Sequence, residues 1–178
     1  MNICLKTISS SPEIYVACAA SQEQGITHGV WVNAALKVKD MAAEIAGMLA
    51  KSPVSGAKTF LIREHRGFGS FEIHPHESLK RVRLKALFIS VYGGLAPKLS
   101  AYYKGDLEAA IEALNSHYIG VYDSEREYAS TLFETNYLPN IPPKVQPYID
   151  YQQFQKDIFI DDYFSITVDG CSHIFTRH

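Results

Sequence analysis

Apolar residues recur along this chain with a spacing that switches between two residues and three to four, and each switch marks an element. Residues 13–20 hold Ile14, Tyr15, Val16 and Cys18 in a β-rich run. Gln24-Gly25 offers a turn, and residues 28–33 (HGVWVN) read as a second strand, so the two predict a hairpin. Met41, Ile45, Met48 and Leu49 repeat at helical spacing and predict a helix over 40–51. Ser52-Pro53 stops it, and Ser55-Gly56 prolongs the loop. Residues 59–63 predict a third strand, ending near Gly67-Phe68-Gly69. A small antiparallel sheet with one helix is therefore expected over 12–73, behind a loose leader at 1–11.

The rhythm then becomes helical. Over 78–92, Leu79, Val82, Ala86 and Ile89 share one face, while Lys80, Arg81, Arg83 and Lys85 lie mostly elsewhere. Gly93-Gly94 ends that helix. A short helix is expected over 97–103. Asp106 is a good N-cap for the next, which turns Leu107, Ala110, Ile111 and Leu114 inward. These helices predict a helical module over 74–116.

A third module, 117–178, starts with a strand at 118–122. Ser124 and Glu127 have capping-box spacing, and Tyr128, Ala129, Leu132 and Phe133 form the stripe of the helix that follows. Pro139, Pro142 and Pro143 predict an extended connection. Asp150 and Gln153 repeat the capping pattern ahead of a helix with Tyr151, Phe154 and Ile158 on one face. Two runs at 163–168 and 171–176 flank Asp169-Gly170 and make a closing hairpin. The expected class is α+β: an elongated chain of small modules, namely sheet plus helix, then a helical bundle, then an α+β module with a C-terminal hairpin.

Composition changes this picture in one respect. Net charge is -2 over 178 residues, but the halves differ. Residues 1–100 hold 12 Lys/Arg and 7 Asp/Glu, net +5, and residues 101–178 hold 5 and 12, net -7. Such asymmetry suggests different partners for the two halves. No stretch approaches the roughly 20 apolar residues that a membrane span needs. Ser9-Ser10-Ser11-Pro12-Glu13 stands where the apolar core of a lipoprotein signal ending at Cys18 would lie, so a cytoplasmic protein without a signal peptide is expected. Cys4, Cys18 and Cys171 form no CxxC pair and read as reduced, buried, small apolar residues.

Catalytic chemistry finds little support. Gly67-Phe68-Gly69 and Gly93-Gly94 match no phosphate-binding loop. His74 and His76 would share a face on a strand, yet no neighbouring acid or cysteine completes a metal set. His28 reads as a packed polar residue, and no triad signature brings a Ser, His and Asp together. The chain is read as a non-enzyme with no cofactor and no metal. The basic run at 80–85 reads as a solvated helix face rather than a set of phosphate contacts.

Three blocks resemble the ArdA antirestriction family. The first is Ile14-Tyr15-Val16-Ala17-Cys18 with Gly25 and His28-Gly29-Val30-Trp31-Val32; the second is Ile62-Arg63-Glu64-His65-Arg66-Gly67-Phe68, similar to a family segment close to D-Y-E-G-F. The third runs from the Tyr-x-Gly-x-Tyr-Asp-Ser pattern at 118–124 and Glu127-Tyr128-Ala129 through Pro147-Tyr148-Ile149-Asp150-Tyr151, Asp162-Tyr163-Phe164 and Gly170 to Ile174-Phe175.

The resemblance implies an elongated three-module homodimer, of the kind carried on mobile genetic elements, that imitates DNA and blocks DNA binding by a type I restriction-modification complex. Surface acids would stand in for phosphates, and the candidates are Glu108, Glu112, Asp123, Glu125, Glu127, Glu134, Asp157, Asp161 and Asp162. The family's antirestriction segment, a dimer contact, would fall on Leu138, Pro139, Ile141, Pro142, Val145, Pro147, Tyr148, Ile149 and Asp150.

The chain departs from a strongly acidic family at Lys58, Arg63 and Arg66 and at the basic run. Duplex DNA carries about one charge per 1.7 Å, so imitating roughly 40 Å takes on the order of 24 charges; this chain has 19 acids. Mimicry would be confined to 106–162. The alternative is a diverged module on the same fold that binds nucleic acid or another acidic partner through its basic first half.

Overall fold

A computed structural model describes residues 11–177; the leader expected at 1–11, apart from Ser11, and Cys4 lie outside the described residues. The fold is α+β, with seven helices and two three-stranded antiparallel sheets among the described residues. The chain divides into two compact units, residues 11–97 and 98–177. The boundary falls inside the segment expected as a helical module.

The first unit is built on β1 (Glu13–Cys18), β2 (Gly29–Asn33) and β3 (Phe60–Arg66), in the order β2-β1-β3. Alternation along β1 sends Ile14, Val16 and Cys18 inward, each fully buried. Ile14 pairs with Val32 across the ladder, and Val16 with Ile62. Helix α2 (Val38–Ala50) contributes the buried Met41, Ile45 and Met48 at helical spacing. A five-residue helix, α1 (Ala19–Glu23), follows β1 directly where the sequence predicted the strand's end and a turn. Helix α3 (Leu79–Tyr92) buries Val82, Ala86, Phe88 and Ile89, and Ser78 caps its N-terminus. Helix α4 (Leu95–Tyr102) contains the unit boundary.

The second unit holds α5 (Leu107–Ser116), β4 (Tyr118–Tyr122), α6 (Glu125–Asn136), α7 (Tyr151–Asp161), β5 (Tyr163–Val168) and β6 (Cys171–Thr176), with sheet order β4-β6-β5. The β5–β6 turn has positive φ at both Asp169 and Gly170, the backbone a two-residue hairpin requires. The core joins Tyr128, Ala129, Ile158 and Ile174. Phe164 is stacked between Tyr102 (4.2 Å, 3°) and Phe175 (4.9 Å, 11°). His173 is also buried, which holds its imidazole below the ordinary histidine range and keeps the ring neutral. Cys18 is buried as expected, whereas Cys171 is only half-buried.

Ser124 caps α6, and Glu127 reaches back past it to the residue before the cap. The Glu127 amide donates to Ser124 Oγ (3.1 Å), and the Asp123 amide donates to Glu127 Oε2 (2.6 Å). Ser124→Ala is expected to cost about 1 kcal/mol, read as a lowered urea midpoint with unchanged slope. An unchanged midpoint would show that water replaces the cap.

Candidate protein-binding surface

All but one of the helix acids of the second unit are exposed, because their helices turn the opposite face inward. Asp106 caps α5 by accepting from the Ala109 amide (2.9 Å), which buries Leu107, Ala110 and Ala113 and leaves Glu108 and Glu112 outside, one turn apart. On α6, burial of Tyr128, Ala129 and Phe133 leaves Glu127 and Glu134 exposed on a common face, seven residues apart. On α7, Asp150 accepts from the amides of Gln152 (3.0 Å) and Gln153 (2.9 Å), Ile158 points inward, and Asp157 and Asp161 are exposed at (i, i+4).

These carboxylates are not equivalent. Glu125 is half-buried and accepts from Ser165 Oγ (2.6 Å), which removes it from the free surface. Glu112 accepts from Ser116, Asp157 from Gln153, and Glu127 from the capping amide. Glu108, Asp123, Glu134, Asp161 and Asp162 have no hydrogen bond or ion pair on their carboxylates among the described residues. Asp161 and Asp162 sit at the C-terminal end of α7, where the helix dipole disfavours negative charge. Arg177 supplies the compensating cation, donating through Nη2 to the Phe159 carbonyl (3.1 Å) and through Nε to the Tyr163 carbonyl (2.9 Å). Sequence spacing alone did not reveal that support.

The proline-rich segment is not extended. Leu138–Asn140 and Gln146–Tyr148 are single 3₁₀ turns, closed by bonds from the Ile141 amide to Leu138 O (3.0 Å) and from the Ile149 amide to Gln146 O (3.3 Å). Proline occupies the start of each turn, where its missing N–H costs nothing. Leu138, Ile141 and Ile149 are half-buried, and Pro139, Pro142 and Pro147 are exposed. The folding leaves Val145 49% and Tyr148 86% exposed. Asp150 is committed to its cap. Ile160, 68% exposed on α7, and Tyr137, 49% exposed, are further apolar surface that sequence reasoning missed. Ile160 falls among polar positions of its helix, and that conflict was the available signal.

The basic run of α3 is also not a simple solvated face. Lys85 is buried, its Nζ 2.6 Å from Glu77 Oε1 and donating to the Glu72 carbonyl (2.7 Å). Arg81 also lies by Glu77 (3.4 Å), and Arg83 donates to the Leu36 carbonyl (2.8 Å). His74 and His76 are exposed in a loop rather than on a strand. Among the described residues no group of three His, Cys, Asp or Glu side chains is placed to hold a metal, and no helix is long and apolar enough to cross a membrane.

A family model described as "Antirestriction protein (ArdA)" matches residues 14–173. The chain belongs to the ArdA family. No curated protein matches it. Membership supports an antirestriction role, implies a restriction-modification enzyme as partner, and fits an inhibitor rather than an enzyme. Three cations of the first unit differ in their surroundings. Arg66 pairs with Glu13 and lies over the Trp31 ring (4.4 Å), so its charge is answered locally. Lys58 and Arg63 are exposed.

Proposed function

We propose that this ArdA chain is a non-enzymatic DNA mimic that acts in the cytoplasm as a homodimer, binding a type I restriction-modification enzyme and blocking its DNA. The observation that carries the reading is the set of exposed, unpaired carboxylates on α5, α6 and α7 within a unit of net negative charge. A groove lined with basic groups to neutralise phosphates accepts carboxylates on the same electrostatic terms. Val145 and Tyr148 supply exposed apolar surface of the kind a dimer contact buries. The nucleic-acid alternative is weakened, because three of the four cations in the basic run are engaged within their own unit.

Competition tests the proposal. Excess purified protein should displace labelled duplex from a type I methyltransferase core, and displacement should weaken as salt rises. Undiminished DNA binding at excess protein would overturn the reading. Retention of the protein itself on heparin or DNA would transfer support to the alternative.

A further inference from the structure

The first unit carries a concavity that none of these acids lines. It is a cavity of about 440 Å³ over the outer face of the first sheet. Tyr15, Gln22, Thr27, His28, Arg63 and Glu64 line it, and Ala17 and Ile26 add apolar lining. The volume lies within the range of small-ligand sites, about 300–1,000 Å³.

Its shape follows from two local features. Tyr15 pairs with Glu64 and Val16 with Ile62, so Arg63 is the extra residue of a β-bulge. Bulges redirect side chains and mark functional edges; here Arg63 and Glu64, consecutive in sequence, both line the cavity. The Tyr15 ring lies against the backbone of Gly29, where a Cβ would meet it at 2.7 Å and the Val16 carbonyl oxygen at 2.5 Å. Glycine at 29 therefore lets this ring form a wall.

The polar groups are differentiated. His28 Nε2 is 2.7 Å from the Met48 carbonyl, and a carbonyl only accepts, so Nε2 carries the hydrogen. Neither the Arg63 nor the Glu64 side chain has a hydrogen-bond or ion-pair partner among the described residues. The guanidinium offers several donors to one anionic group. Glu64 beside it penalises a bare anion and rewards one that brings a hydrogen-bond donor. Tyr15 favours a flat ring.

We propose that this cavity binds a small planar anion: an aromatic or heteroaromatic ring carrying one acidic group and one hydrogen-bond donor. Nucleotides and hydroxylated aromatic carboxylates share that chemistry, and titration of the whole protein with each separates the sources. Adenosine monophosphate, 4-hydroxybenzoate and inorganic phosphate serve as probes, followed by calorimetry and by amide chemical shifts. At least one ring-bearing probe should bind at least tenfold more tightly than phosphate, with shifts concentrated at 15–28 and 63–64. Arg63→Gln alters an exposed side chain and should leave the melting temperature unchanged while weakening that probe at least tenfold. The proposal is overturned if neither ring probe binds below millimolar concentration, if phosphate binds as well as the better ring, or if Arg63→Gln binds like the wild type.

Discussion

Lys85→Met should destabilise the first unit by about 3–5 kcal/mol. The lysine Nζ is 5.9 Å from the centre of the Phe71 ring and contacts both Glu77 and the Glu72 carbonyl. The partner decides the size of the effect. The Glu77 side chain is 4% exposed, and its other oxygen accepts the His74 amide (3.1 Å). Methionine fills the lysine's volume but leaves that carboxylate buried, with Arg81 at 3.4 Å and half-exposed as its remaining cation. An uncompensated buried charge costs far more than the pair itself contributes. The double variant Glu77→Gln/Lys85→Met should therefore recover at least half the loss, since neither charge remains. Trp31, the chain's one tryptophan, lies on β2 of the same unit and reports its unfolding in urea. A single-variant loss below about 1 kcal/mol would place the pair with ordinary surface salt bridges.

Lys85 also shows where sequence reading stops. Its helical register put it off the apolar stripe, and a lysine off the stripe reads as solvated. Its burial depends on Glu77, a residue ahead of the helix whose position the periodicity does not encode. The elements that were legible rest on local chemistry. Asp106, Ser124 and Asp150 each accept amide hydrogens of the helix they precede, within three residues in the chain. The Asp169-Gly170 turn needs only its own two backbone conformations. Helix α1 was lost because five residues are too few for a 3.6-residue period to emerge. Proline at 139 and 147 announced an interruption, but whether the chain then extends or closes a 3₁₀ turn depends on one backbone bond in each case. For the acidic surface, exposure followed from amphipathic spacing. Engagement did not: Ser165, forty residues on, takes Glu125 out of play. The bulge that makes Arg63 an extra residue in β3 likewise exists only in the pairing with β1.

Neutralising the unengaged acids should abolish most of the competition with DNA. The informative variant is Glu108→Gln/Glu134→Gln/Asp161→Asn/Asp162→Asn, because these carboxylates have no partner among the described residues and their loss breaks no contact within the fold. Removing Asp161 and Asp162 also relieves negative charge at the end of α7, so thermal stability should hold or rise slightly. If each carboxylate contributes about 0.5–1 kcal/mol against a basic groove, the four sum to about 2–4 kcal/mol. That corresponds to roughly 30- to 900-fold weaker displacement of duplex from a type I methyltransferase core. The salt dependence of competition should flatten in the same variant, since fewer charge pairs remain to be screened. Asp40→Asn/Glu44→Gln removes two exposed acids from α2 in the other unit and should compete like the wild type. That contrast separates a located surface from a general effect of net charge, which both variants shift in the same direction. A loss in the double variant about half that of the quadruple, in proportion to two charges removed against four, would leave only bulk electrostatics. A quadruple variant that displaces DNA as well as the wild type would remove the carboxylates of α5, α6 and α7 from the mechanism.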